Sequence, residues 1–198
     1  FFVDIQSAER EGFLDILQKH APEGTINQVP MLRGRIIAFN DQDVAQMNVP
    51  PGGRWVLRGD RGITYEETLP TNSTLTEGSW WPRDYDGEPL VSFSAEEAGE
   101  LGLAIGDTVT VNVLGRNITA RIANFRQVEW ESLSINFVMV FSPNTFRGAP
   151  HAWLATLTDP DATAAEEAAI LRDVTGAYPT ITSVRVKDAI DIVDQLVG

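Results

Sequence analysis

The chain has 198 residues, 43% of them apolar and 22% charged, and its 28 acidic against 15 basic side chains leave a net charge of −13. That length holds one large or two small domains with a real core, and a field of that sign repels polyanions, which excludes nucleic acid and disfavours an anionic lipid surface as partners. With no cysteine, disulfides, thiol nucleophiles and cysteine-ligated metals are excluded, and no apolar run reaches the ~18 residues of a membrane-spanning helix.

Residues 1–6 (FFVDIQ) read as a strand. Ser7 is the candidate N-cap of a helix with Glu9 and Glu11 in its first turn, where the dipole favours acids. Phe13, Leu14 and Leu17 give that helix an apolar stripe, Lys19 and His20 lie at its end, and Pro22 stops it. Residues 29–39 read as a second strand, with Leu32, Ile36 and Ala38 on one face and Arg33 and Arg35 on the other.

Pro50-Pro51-Gly52-Gly53 breaks regular structure and marks the start of a β-rich middle, residues 50–143. Within it, residues 94–101 form a short helix before Gly102 and the turn Ile105-Gly106-Asp107. Val109, Val111 and Val113 alternate with Thr108, Thr110 and Asn112, the period of a half-buried strand. Gly115-Arg116 suits a type II′ hairpin turn. The return strand runs from Asn117 towards Val128, and residues 135–141 (INFVMVF) are apolar enough to be buried on both faces.

The far end repeats the opening order. Residues 153–158 are a strand, and Thr163 with Glu166 forms a capping box. An alanine-rich helix runs to about Thr175 with Gly176 as its C-terminal cap. Residues 182–186 are a strand and 187–197 an amphipathic helix. The expected fold class is α+β: a mixed α/β part made of β-α-β units from both chain ends (1–49 and 144–198), with a β-rich inserted subdomain (50–143).

Catalytic signatures are missing. The glycines around Gly52-Gly53 and Gly59–Gly62 lack the lysine of a phosphate loop. The two histidines, His20 and His151, have no motif around them. The acidic pairs Asp41/Asp43, Asp84/Asp86 and Asp159/Asp161 offer oxygens to a cation but do not continue into a calcium loop, and they read as solvated turn residues. No catalytic residue, metal ligand or cofactor is assigned. The candidate binding residues are Trp80 and Trp81 in the loop Ser79-Trp80-Trp81-Pro82. In a strand they would face opposite sides, one in the core and one exposed as a partner anchor. The competing reading has both rings capping the β core.

The middle also carries an ordered series. Thr64-Tyr65 is followed by Leu69-Pro70, Asn72 and Glu77-Gly78-Ser79-Trp80-Trp81, then by VSFSAEEAGELGLAIGDTVTVNVLGRNITARIANFRQVEWESLSINFVMVFSP (91–143). The opening adds FFVDIQ (1–6) and MLRGRI (31–36). Together, from residue 1 to about 158, these resemble the extracytoplasmic domain of ABC-transporter permeases of the FtsX-like or MacB-like superfamily, most of all its YbbP-type members.

That resemblance implies a domain on the periplasmic side of a bacterial inner membrane, set between transmembrane helices that lie outside this chain. It implies a porter-like part formed by the two chain ends, a β-rich insert, and a separate cytoplasmic ATPase as partner. It further implies contact with a periplasmic protein or lipid-linked cargo, and no bond chemistry. The chain is then expected to be a fragment, monomeric in isolation, with Phe1 and Gly198 near one pole. The alternatives are a soluble periplasmic ligand-binding module and a hydrolase using a carboxylate pair.

Overall fold

A computed structural model describes residues 1–70, 73–129, 136–147, 151–159 and 161–183. In chain order its elements are β1 (Phe2–Ile5), α1 (Arg10–His20), β2 (Thr25–Phe39), β3 (Gln42–Asp43), α2 (Pro51–Arg54), β4 (Arg61–Tyr65), β5 (Ser73–Gly78) and β6 (Leu90–Ser94). They continue as α3 (Ala95–Leu101), β7 (Thr108–Val113), β8 (Arg116–Val128), β9 (Met139–Phe141), β10 (Ala152–Thr158), α4 (Ala164–Ala177) and β11 (Thr182–Ser183). The chain divides into two compact units, one from residues 1–31 and 151–198, the other from 32–150.

In the first unit β1 lies antiparallel between β11 and β10, pairing Phe2 with Ser183 and with Ala155. On its other side β10 pairs with the first half of β2, from Thr158 opposite Thr25 to Ala152 opposite Met31. Phe2, Ile5, Phe13, Leu17, Ala155, Ile170 and Val174 form its core, so the buried stripes of α1 and α4 meet the sheet in one cluster. Phe2 meets Phe13 edge-on at 5.0 Å.

The caps differ from expectation in two places. Ser7 does not cap α1, because the preceding turn uses it: Glu9 N–H donates to the Gln6 carbonyl (2.9 Å), and the helix starts only at Arg10. Gly176 does not end α4, which runs on to Ala177 and closes with Tyr178 N–H on the Val174 carbonyl (2.8 Å). Thr163 does act as N-cap, accepting from Glu166 N–H at 3.1 Å. The helix expected over 187–197, the remainder of the strand over 182–186, and the position of Gly198 relative to Phe1 lie outside the described residues.

The second unit is a mixed sheet. The second half of β2 pairs with β3, β4 and β7, with Leu32 opposite Ile63 and Ile36 opposite Val111. β9 runs parallel to β4 and antiparallel to β6, β6 runs parallel to β8, and β5 pairs with β8. Leu32, Ile36, Val56, Ile63, Val91, Phe93, Val109, Ile122 and Phe141 belong to its apolar core.

Three local readings are corrected in this unit. Leu32, Gly34 and Ile36 face the core, but the β2–β7 register slips between Ile36 and Ala38, so Phe39 rather than Ala38 is the next fully buried residue. One extra residue in a strand reverses which parity faces inward. The β7–β8 turn is Leu114-Gly115, both left-handed (φ 52° and 82°), between paired Val113 and Arg116. That is the type I′ geometry, whose twist suits a two-residue hairpin. Pro51-Gly52-Gly53 does not break structure but forms the short helix α2, with Pro51 in its first turn, where a missing N–H costs nothing.

The division between units also falls elsewhere than the expected residues 50 and 143. Residues 32–49 join the second unit because the second half of β2 pairs there, and Phe146 joins it by packing on Phe141 at 5.0 Å.

Candidate functional site

Gly78 ends β5 with φ +77°, and a Cβ there would sit 2.3 Å from the Ala123 carbonyl oxygen. Only glycine fits, and its left-handed turn directs the chain off the strand edge into Ser79-Trp80-Trp81. Asn124, fully buried opposite Gly78, donates its amide to the Ser79 carbonyl (3.2 Å) and accepts from Ser92 Oγ (2.5 Å). The loop is thereby fixed from below.

The two indoles are fixed in parallel. Trp81 Nε1–H donates to the Glu66 carbonyl (2.9 Å) and Trp80 Nε1–H to the Glu67 carbonyl (2.8 Å). Their rings stack at 4.1 Å with a 32° tilt. Glu66 N–H in turn donates to the Phe141 carbonyl (3.1 Å), which ties the acceptor segment to β9. The rings therefore do not face opposite sides, since a stretch outside the strand ladder need not alternate. Trp81 is the inner ring, 4% exposed, and Trp80 the outer, partly exposed one.

Behind the loop lies a row of buried residues on the sheet face opposite the apolar core. Thr64 pairs with Val140, Val140 with Ser92, Ser92 with Asn124 and Asn124 with Gly78. Four of the five carry almost no accessible surface, and three are polar. The signal that could have revealed this face is the alternation of Val91 and Phe93 with Ser92 and Ser94, a strand whose second face is buried yet polar.

Arg126 completes the layer, almost fully buried. Its Nη1 donates to the Ser92 carbonyl (2.7 Å), Ser92 Oγ (3.2 Å) and the Val138 carbonyl (3.3 Å), and its Nη2 to the Phe137 carbonyl. Burial lowers its pKa to about 10, against the opposing fields of Glu66 and Glu97. Burial likewise raises the Glu66 carboxyl, and the Arg126 charge counters that rise. Glu97 is 4% exposed and accepts from Ser94 Oγ at the start of α3. The arrangement is a buried, polar backing for an aromatic surface.

Other candidates of the sequence have partners of their own. His20 Nε2 meets Asp173 Oδ2 at 2.5 Å between α1 and α4, and His151 lies edge-on to Trp153 at 5.3 Å. Asp43 Oδ1 caps Ala45 N–H (2.8 Å), Asp86 pairs with Arg147 (3.1 Å), and Asp159 Oδ1 accepts from Asp161 N–H (3.2 Å). Among the described residues no group of three metal-ligating side chains converges, and no helix is long and apolar enough to cross a membrane.

No family model matches the chain. It is similar to an uncharacterized ABC transporter permease, YbbP, of Escherichia coli strain K12, with 30% identity over 129 residues. The match covers 64% of this chain, which spans about 15% of the length of that permease. The likeness agrees with the sequence motifs at the level of an ABC permease.

Proposed function

We propose that the chain is a non-catalytic extracytoplasmic domain of an ABC transporter permease of the FtsX-like or MacB-like kind. It carries ATP-driven motion from a separate cytoplasmic ATPase to a periplasmic protein or lipid-linked cargo. On this reading the first unit is the porter-like part, the second is the β-rich insert, and the membrane-spanning helices belong to the complete gene product. The isolated domain is monomeric, and Trp80 is its partner contact. The observation that carries the reading is the 129-residue similarity to a permease, a stretch about 15% of that protein's length. The Trp80 ring, fixed by its own N–H and its neighbour yet partly exposed, supports the contact role.

The 198-residue chain has no cysteine, so the test becomes direct once any cysteine elsewhere in the complete gene product is replaced by serine. Leu114, 69% exposed at a hairpin tip, is replaced by cysteine in the complete gene product. Intact cells with a permeable outer membrane are then treated with a membrane-impermeant maleimide. Labelling before lysis, and co-purification of an ATPase chain, is the expected result. Labelling only after lysis overturns the proposal.

A further inference from the structure

β5 is a sheet edge. Among the described residues it pairs with β8 alone, from Ser73 opposite Val128 to Gly78 opposite Asn124. An edge strand leaves alternate backbone N–H and C=O groups facing outward, a template for another strand. Natural edges are often closed by lysine or proline within the strand. The β5 sequence STLTEG has neither, and Thr74, Thr76, Glu77 and Gly78 are exposed. Its irregularities are a register slip between Leu75 and Glu77 and the left-handed Gly78 at its end. The edge leads through Gly78 directly to the partly exposed Trp80 ring.

The charge around this edge selects the partner. Glu129 follows the β8 residue paired with Ser73, Glu77 lies within β5, Glu67 supplies the carbonyl that holds Trp80, and Asp84 follows the Trp loop. All four are exposed, and so is Arg83, in a chain of net charge −13. Asp86 and Glu88 further on are already paired with Arg147 and Arg121. A second copy of this chain would bring the same acids to the same edge, and like charges across a strand pair repel. A basic strand meets them favourably, and an indole face accepts a cationic side chain.

We infer that β5 and Trp80 form a docking edge for an extended, basic peptide segment of a partner protein, which adds as a strand to β5 and lays a lysine or arginine on Trp80. The backbone edge supplies the hydrogen bonds, and Trp80 with Glu67 and Glu77 supplies the side-chain preference. The inference rests on the reading of Trp80 as the partner contact and names the chemistry of that partner.

The test uses the 198-residue chain and two capped synthetic peptides, one alternating lysine with valine and one alternating glutamate with valine. The lysine peptide is expected to slow exchange of alternate β5 amides and to change tryptophan emission, with affinity falling as salt rises. Trp80→Ala is expected to weaken it roughly tenfold while the chain stays folded. Glu77→Lys is expected to reverse the preference between the peptides. Unchanged β5 amides, equal binding of both peptides, or protection of β5 through a dimer seen in sedimentation overturns the inference. If position 114 labels from outside the cell and β5 still takes no peptide, the strand-docking inference fails and the domain assignment stands. If position 114 labels only after lysis while β5 takes the lysine peptide, the assignment fails and the docking edge stands.

Discussion

Gly12 of α1 faces Tyr178 at the end of α4 so closely that a Cβ on residue 12 would lie 1.9 Å from the Tyr178 hydroxyl oxygen. A glycine inside a helix ordinarily weakens it relative to alanine, so alanine here would be expected to help on propensity alone. The contact opposes that gain. Gly12→Ala must push the half-buried Tyr178 ring aside and should destabilise the chain by about 1 kcal/mol net. Tyr178→Ala in the same background should recover part of the loss, and a double-mutant cycle in urea reads the coupling.

The two tryptophans should separate cleanly in a melt. Trp81→Ala empties a buried position and should cost about 3–5 kcal/mol. Trp80→Ala gives up one hydrogen bond and one stacked face, and should cost about 1–2 kcal/mol. Equal, large losses for both would mean that the outer ring is as much core as the inner one.

Arg126→Ala should be among the most damaging single changes in the second unit. It takes a donor from the Ser92, Phe137 and Val138 carbonyls, of which Val138 still accepts from Ser94 N–H, and removes the positive charge that faces Glu66 and Glu97. Removing one side of a buried charge balance typically costs about 3–5 kcal/mol. Since Phe137 and Val138 lead into β9, amide exchange of Met139–Phe141 should accelerate first.

The first-unit helices should carry an acid-sensitive contact. The hydrogen bond from His20, helped by the His20, Arg172 and Lys19 charges, holds the Asp173 carboxyl below its ordinary value. A carboxyl lowered in the folded state stabilises fully above its unfolded pKa and loses that contribution as pH falls through the folded pKa. Stability should therefore decline from about pH 4 downward, and Asp173→Asn should flatten that part of the profile. An unchanged profile in the variant would show that other carboxylates carry the acid loss.

Much of the local structure was legible because it depends on short-range chemistry. Thr163 with Glu166 and the alternating valines of β7 each carry their own signal. Gly102, left-handed at φ 70°, ends α3 with Leu103 N–H on the Ala98 carbonyl (2.9 Å). The β2 register slip was not legible, because a bulge is chosen by the partner strand. The Leu114-Gly115 turn was missed because leucine is a poor residue for a left-handed site, and strand pairing overrode that preference. At the site, the sequence pointed to Trp80 and Trp81 but not to their stacking, which depends on the Glu66 and Glu67 carbonyls thirteen to fifteen residues away.

The row Thr64, Val140, Ser92, Asn124 and Gly78 has a kinetic corollary. It assembles five positions that lie far apart along the chain, and such non-local pairings form late and slowly. Trp81 hydrogen-bonds the Glu66 carbonyl, and Glu66 N–H is tied to the Phe141 carbonyl, so the indole is expected to be enclosed late. Tryptophan emission in a refolding experiment should therefore trail the appearance of helix signal, and the aromatic pair becomes the last part of the second unit to mature.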